Sequence, residues 1–473
     1  MKFILSLFVA CSACAFAQQA SELSPDVQKL VKVSAPVIVL EHVRVIDGTG
    51  AAAKDDQTII IENGKIQSVG AVVDQLIPAN AQVLDLHGDS VLPGLVGMHD
   101  HLFYTAGEGL FHEMAYSFPR LYLANGVTTI RTTGSLEPYA DLELKKEIES
   151  GKVPGPHMDV TGPYLEGPGT FSVQMHQLTS PDDARNFVNF WADQGVTSFK
   201  AYNFLTRAEL GAAIEAAHKR GLKLTGHLCS IGFHEAAALG IDDLEHGLAV
   251  DTEFYSGKKP DVCPDPRAAV AELAKIPATD VRIQDLIKDL VARHVAVTST
   301  LPVFENFVAG RPTLEPRVLA AMSPDAQNAY LATRVRISTA KDLPWPAMFQ
   351  LEMQFEHAFA QAGGSLLAGE DPTGIGGDLA GFGDQREVEL LVEAGFTPLE
   401  AIHIATANGA QYLGRFDHIG TIAAGKNADL IVVKGDPSRK ISDIENVEIV
   451  FKDGVGYDPA KLLDSVRGHV GLN

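Results

Sequence analysis

Gly94-Leu95-Val96-Gly97-Met98-His99-Asp100-His101 is an apolar β run that ends in two histidines at i and i+2. Alternation along a strand puts His99 and His101 on one face and Asp100 on the other. Seven further apolar runs follow, leading to Ile130, Val160, Phe199, Thr225, Leu244, Val297 and Leu367, with helical patterns between them, for example over residues 181–194, 207–220 and 230–239. Strands that alternate with helices predict a parallel sheet, and eight such repeats predict an α/β chain built as a (β/α)8 TIM-type barrel. Barrels of this kind carry their chemistry at the C-terminal ends of the strands. The longest interruption, residues 302–346, follows strand seven and carries Arg311, Arg317 and Trp345. It reads as a lid or substrate-shaping insertion.

Outside this middle the pattern changes. Short β-rich runs at residues 37–40, 58–61, 65–69 and 83–86, with Asn63-Gly64 as a hairpin turn, are matched by runs at 429–433 and 447–451. Two β-rich ends predict one small β-sandwich assembled from residues 36–92 and 413–460, around a barrel over 93–412. Lys2, the apolar run from Phe3 to Phe16, and Ala15-Phe16-Ala17 before Gln18 predict a signal peptide over residues 1–17. The mature chain is then exported, to the periplasm or the medium. A lipoprotein on Cys11 is the weaker reading, because Phe8-Val9-Ala10 suits such sites poorly. The apolar run is too short to span a membrane comfortably, and no later stretch is long enough.

The formal net charge of −22 argues against nucleic acid or an anionic membrane as the main partner. It suits divalent cations, although solubility alone would explain it. A small molecule or short peptide is the expected partner, and a homo-oligomer is compatible with the sequence. Of the 4 cysteines, Cys229 and Cys263 remain after the signal. Two thiols make no disulfide framework, their pairing is left open, and Cys229 reads as a small packed thiol.

The histidine pair gains weight from the other strand ends. Strand four ends Phe199-Lys200-Ala201-Tyr202, with a lysine inside an apolar strand. A buried ammonium is costly unless paired or chemically changed, and a neutral amine can take up carbon dioxide to become an anionic carbamate. Strand five ends at His227, strand six at His246, and strand eight at Glu370-Asp371. Barrel interiors prefer branched aliphatics, so packing does not account for this set. His218, His403, His176 and His234 read as surface, core or loop residues, and Gly374 to Phe382 as a flexible loop rather than a phosphate loop.

The ordered set HxH, Lys, His, His, Asp on strands one, four, five, six and eight resembles the amidohydrolase superfamily, binuclear type. The flanks around residues 92–96, 126–131 and 420–430 resemble its imidazolonepropionase-like and prolidase-like branch. The resemblance implies two divalent metal ions, zinc by donor type, held by His99, His101, Lys200, His227, His246 and Asp371. Carbamylated Lys200 would bridge them, and Asp371 would be the catalytic proton carrier. It implies hydrolysis of an amide, with a dipeptide or N-acyl amino acid as substrate. A cyclic amide, lactone or ester cleaved by the same centre is the alternative, and a non-catalytic metal-binding barrel a remote one.

Two departures stand out. Residues 159–167 (DVTGPYLEG) replace the Gly-Gly-His segment of many prolidase-like relatives, which leaves Tyr164 or Glu166 near the site. Glu370 stands where Thr is commoner, and alternation turns it away from the metal that Asp371 faces. Imidazolonepropionase proper lacks the bridging lysine, so Lys200 argues against that activity. Three residues are candidates for substrate contact: Tyr202, which shares the face of Lys200; Tyr164; and Arg131, which closes strand two and could hold a carboxylate or pair with a loop acid.

Overall fold

The computed structural model describes residues 22–107, 110–170 and 172–471. The expected signal peptide and Cys11 lie outside the described residues. Eight parallel strands form the expected ring: Leu95–Asp100, Val127–Thr132, His157–Val160, Ser198–Ala201, Lys223–Gly226, Asp243–Glu245, Ala296–Ser299 and Leu366–Ala368. They are called barrel strands one to eight below. The ladder runs without interruption within strands one to three and within strands four to eight, leaving two seams. Isolated bridges Thr161↔Ser198 and Leu165↔Ala201 cross the first. At the second, the backbone N–H groups of Glu370 and Asp371 donate to the carbonyl of His99 at 3.3 and 2.9 Å. A side chain at position 369 would meet the His99 backbone at 2.5 Å, so glycine is what lets strand eight close on strand one.

Helices lie between the strands, each stopped and started by local chemistry. Arg207–Lys219 begins with a Thr206/Glu209 capping box, and Pro181–Gln194 is capped by Ser180 and ended by Gly195 in the left-handed conformation. One apolar core joins helices and strands, with Phe199, Phe233, Leu244, Val297, Phe355 and Leu390 all buried in it.

The two chain ends meet in one sheet. Leu430–Lys434 pairs antiparallel with Asp89–Pro93, which knits Val31–Val33, Val455–Tyr457 and Val447–Lys452 to Val37–Val45, Lys54–Glu62 and Lys65–Ala71. Hydrogen bonding makes this a single 9-stranded sheet rather than two separate ones. Ile38, Leu40, Ile59, Ile61, Val432 and Phe451 from both termini share its own apolar core. Asn63 (φ 51°) and Gly64 (φ 75°) make the expected hairpin turn, both in the left-handed region. Among the described residues, no helix is long and apolar enough to cross a membrane.

Candidate metal centre

The six expected ligands all lie at the C-terminal mouth of the ring, and three of the imidazoles are oriented from behind. Nδ1 of His99 lies 2.6 Å from Oε2 of Glu245, Nδ1 of His101 lies 3.2 Å from the Gly134 carbonyl, and Nδ1 of His246 lies 2.7 Å from Thr300 Oγ1. Each contact occupies one ring nitrogen and leaves Nε2 turned inward. Those Nε2 atoms face Asp371 at 3.8, 3.4 and 3.8 Å for His99, His101 and His246. Donor atoms of His99, His246 and Asp371 all lie within 4.8 Å of one another, close enough to share an ion. The His227 ring stands 4.5 Å from that of His246, and Lys200 Nζ is 3.1 Å from His99 Nε2.

Strand alternation accounts for most of this arrangement, but not for His246. Asp243 and Glu245 both reach Arg131 inside the barrel, so strict alternation would turn His246 outward. A φ of 68° at His246 swings it back to the mouth, and Asp371 likewise sits at φ 58°. Non-glycine residues rarely adopt this conformation, and strain of this kind gathers at working sites.

Burial sets the charge states. It drives His99 and His246 well below the usual imidazole range, lowers His101, and takes His227 down to about 3, so all four favour the neutral form that ligates metal. Lys200 is lowered by burial to about 8, partly offset by Glu245 and Asp371. Burial pushes Asp371 up, but the His99, His101 and Lys200 side chains that face it hold it well below the usual carboxylate range. Neutral nitrogen donors around one carboxylate fit a divalent metal.

The profile of the amidohydrolase family matches residues 90–456, a span that holds every one of these ligands. The chain belongs to the amidohydrolase family. Some curated relatives match it over short stretches: the imidazolonepropionase of Idiomarina loihiensis is 40% identical over 59 residues, 12% of this chain and 14% of that protein. The D-hydantoinase of Geobacillus stearothermophilus is 24% identical over 424 residues, 84% of this chain and 85% of that protein. Two solved structures share the fold at 20% identity. One is a Xaa-Pro dipeptidase with methionine bound in its active site (TM-score 0.66, covering 89% of this chain and 100% of that one). The other is bottromycin amidohydrolase (TM-score 0.68, covering 94% of each).

Within this amidohydrolase fold the three candidates for substrate contact part company. Arg131 is not at the mouth: it is buried, with Nε on the Met98 carbonyl at 2.7 Å and Nη2 on Asp243 at 2.9 Å and Glu245 at 2.8 Å. Strand acids, not a loop acid or a substrate, take its charge, so the expectation of a substrate contact is corrected. Tyr164 and Tyr202 do flank the centre, their rings 5.5 and 5.9 Å from Lys200 Nζ. Tyr202 also stands 4.7 Å from the His227 ring. Glu166 ties two loops together instead, its Oε1 accepting from Gly167 N at 2.8 Å and Phe204 N at 2.7 Å.

One further expectation changes. Cys229 is not a free packed thiol; it is joined to Cys263. His218 pairs with Asp242, His234 with Glu253 and His176 with Asp183, while His403 bonds the Gly48 carbonyl, so none of the four joins the centre. Arg311 and Arg317 serve the insertion as anchors, on Glu305 with Glu393 and on Glu315 with Glu445. Trp345 reaches the mouth, stacked 5.6 Å from Phe304 and 4.7 Å from Phe307. These aromatics, with Phe204, line a cavity of about 630 Å³ that opens onto His227. Glu245 and Thr300, which orient two ligands, went unrecognised in the sequence, although Glu245 lies two residues beyond Asp243 on an inward-facing strand position.

Proposed function

We propose that the chain is an exported hydrolase with two divalent metal ions, zinc by donor type, that cleaves the amide bond of a dipeptide or N-acyl amino acid. The observation that carries this reading is Lys200. Its amine is buried, forms no ion pair among the described residues, is lowered to about 8, and stands 3.1 Å from a ligand nitrogen. A neutral amine adds carbon dioxide and sheds a proton, giving a carbamate whose two oxygens can bridge two cations. Bound there, the metals supply the Lewis acidity that activates water and polarises the scissile carbonyl.

The chain's own groups do the rest. Asp371 is a carboxylate at neutral pH and faces the Nε2 atoms, so it takes the proton of the attacking water and returns it to the leaving amine. His99, His101, His227 and His246, in neutral form, would hold the metals. The Tyr164 and Tyr202 rings wall the Lys200 side, and the aromatic cavity beside His227 suits an apolar side chain of the substrate.

Metal analysis of the mature protein beside a turnover screen tests this. Two metals per active chain, a Lys200→Ala variant that keeps at most one and loses activity, and turnover of dipeptides or N-acyl amino acids are expected. One metal in active enzyme with Lys200→Ala harmless overturns the two-metal scheme. Turnover confined to cyclic amides, lactones or esters replaces the substrate class, and no turnover at full metal loading replaces the enzyme by a binding protein.

A further inference from the structure

Behind the catalytic mouth lies a second constellation that the reaction does not use. Asp100, from between His99 and His101, and Glu370, just before Asp371, point away from the ligands and meet each other outside the ring. Asp384, in the first turn of helix Phe382–Glu393, and Asp378, just before it, join them. Side-chain oxygens of Asp100, Glu370 and Asp384 lie within 4.8 Å of one another, and all three residues are buried. Among the described residues, no lysine or arginine forms an ion pair with any of the four.

Acid clusters are common, but Asp100 sets this one apart. It is fully buried, it points into the cluster, and neither of its carboxylate oxygens has a hydrogen-bond partner. Glu370 Oε1, Asp378 Oδ2 and Asp384 Oδ2 are likewise unmatched. The one backbone donor on Glu370, the Asp384 N–H, reaches Oε2 at 3.0 Å. Two glycines make the room: a Cβ on Gly97 would lie 2.0 Å from Asp100 Oδ2, and one on Gly383 2.1 Å from Asp378 Oδ1. Either side chain would fill the space in which the carboxylates converge. A proton shared between Glu370 and Asp384 would satisfy those two and leave Asp100 unmet.

We infer that Asp100, Glu370, Asp378 and Asp384 form a separate binding site for a hard divalent cation of the calcium type. The donors are all oxygen, in contrast to the imidazole-rich mouth, and such sets select calcium, magnesium or manganese over zinc. A spread of no more than 4.8 Å between donor atoms of Asp100, Glu370 and Asp384 suits ligands on opposite sides of a calcium ion, with Asp378 beside them. An ion here neutralises buried charge that no side chain balances. It also pins the backbone on either side of His99, His101 and Asp371 from the rear, and gives a reason for a buried acid at Glu370. The site does not depend on which reaction the mouth performs.

Calcium alone is the probe. Zinc-loaded mature protein, freed of calcium, magnesium and manganese, is titrated with calcium while binding and thermal unfolding are followed. About one calcium per chain and a Tm rise of several degrees at saturation are expected. Asp384→Asn and, separately, Asp378→Asn lose both responses at unchanged zinc content. The inference is overturned if the wild-type protein takes up no calcium and shows no change in Tm. It is equally overturned if both variants keep the full calcium response. Should one variant fail to fold, the wild-type titration and the other variant still decide.

Discussion

Nδ1 of His99 and Oε2 of Glu245 lie 2.6 Å apart, and the other Glu245 oxygen receives Arg131 Nη2 at 2.8 Å. A catalytic-centre imidazole is thus held by a carboxylate that is itself held by a buried guanidinium. Thr225 Oγ1 donates to the same Glu245 oxygen. Glu245→Gln keeps the shape but weakens the acceptor for His99. Metal affinity is expected to fall by about 10- to 100-fold, with kcat little changed once metal is saturating. Competitive titration against a chelator, beside activity at high metal, checks this.

The cavity gives a second expectation. Trp345 stacks on Phe304 and Phe307 at its wall, far from any proton transfer. Trp345→Ala should raise KM for amides with aromatic or large aliphatic side chains, by about 10-fold for the loss of one such contact. Substrates with small side chains should be nearly unaffected. A KM series over substrates of graded size reads the difference.

Glu166 carries a pH dependence. Burial raises its carboxyl from 4.5 to about 7, against the opposing backbone donors Phe204 and Gly167. Between those values the native state holds a proton that the unfolded chain has released, so this group's contribution to stability falls as pH rises from 4.5 to about 7. The Phe204 and Gly167 N–H groups both use Oε1, which Glu166→Gln keeps as an acceptor while it removes the titration. The variant should have a higher Tm than wild type at pH values above 7 and a similar one near the acid end. Thermal unfolding across that range measures it.

The Cys229–Cys263 link closes a loop over a sequence separation of 34 and borders the aromatic cavity. Cys263→Ser should cost about 2–4 kcal/mol of stability. By loosening one cavity wall it should also raise KM more than it lowers kcat. Thiol titration of the unfolded wild-type protein should find no free thiol in the mature chain. Unfolding and steady-state kinetics of the variant check the rest.

What could be read without coordinates followed from periodicity. Apolar runs at strand spacing located all eight barrel strands, and alternation placed His99 with His101 and turned Glu370 away. Periodicity says nothing of where a strand stops obeying it, so the positive φ that brings His246 inward was invisible. Arg131 misled because a charge at a strand end looks the same whether it faces solvent or two carboxylates on a strand across the ring. Those carboxylates, Asp243 and Glu245, are distant in sequence, as are Cys263 from Cys229 and Asp384 from Asp100. Contacts of this range are set by the closed ring and leave no local pattern.

The seam between strands one and eight has a consequence for how the protein matures. His99 and Asp371 are joined there by a backbone hydrogen bond, and both aim at the same point. A chain still lacking its last barrel strand therefore has no complete ligand set, whatever the first seven strands have done. The ligand set is complete only when the ring shuts, and an ion held there would tie together the two parts of the barrel that are made furthest apart in time.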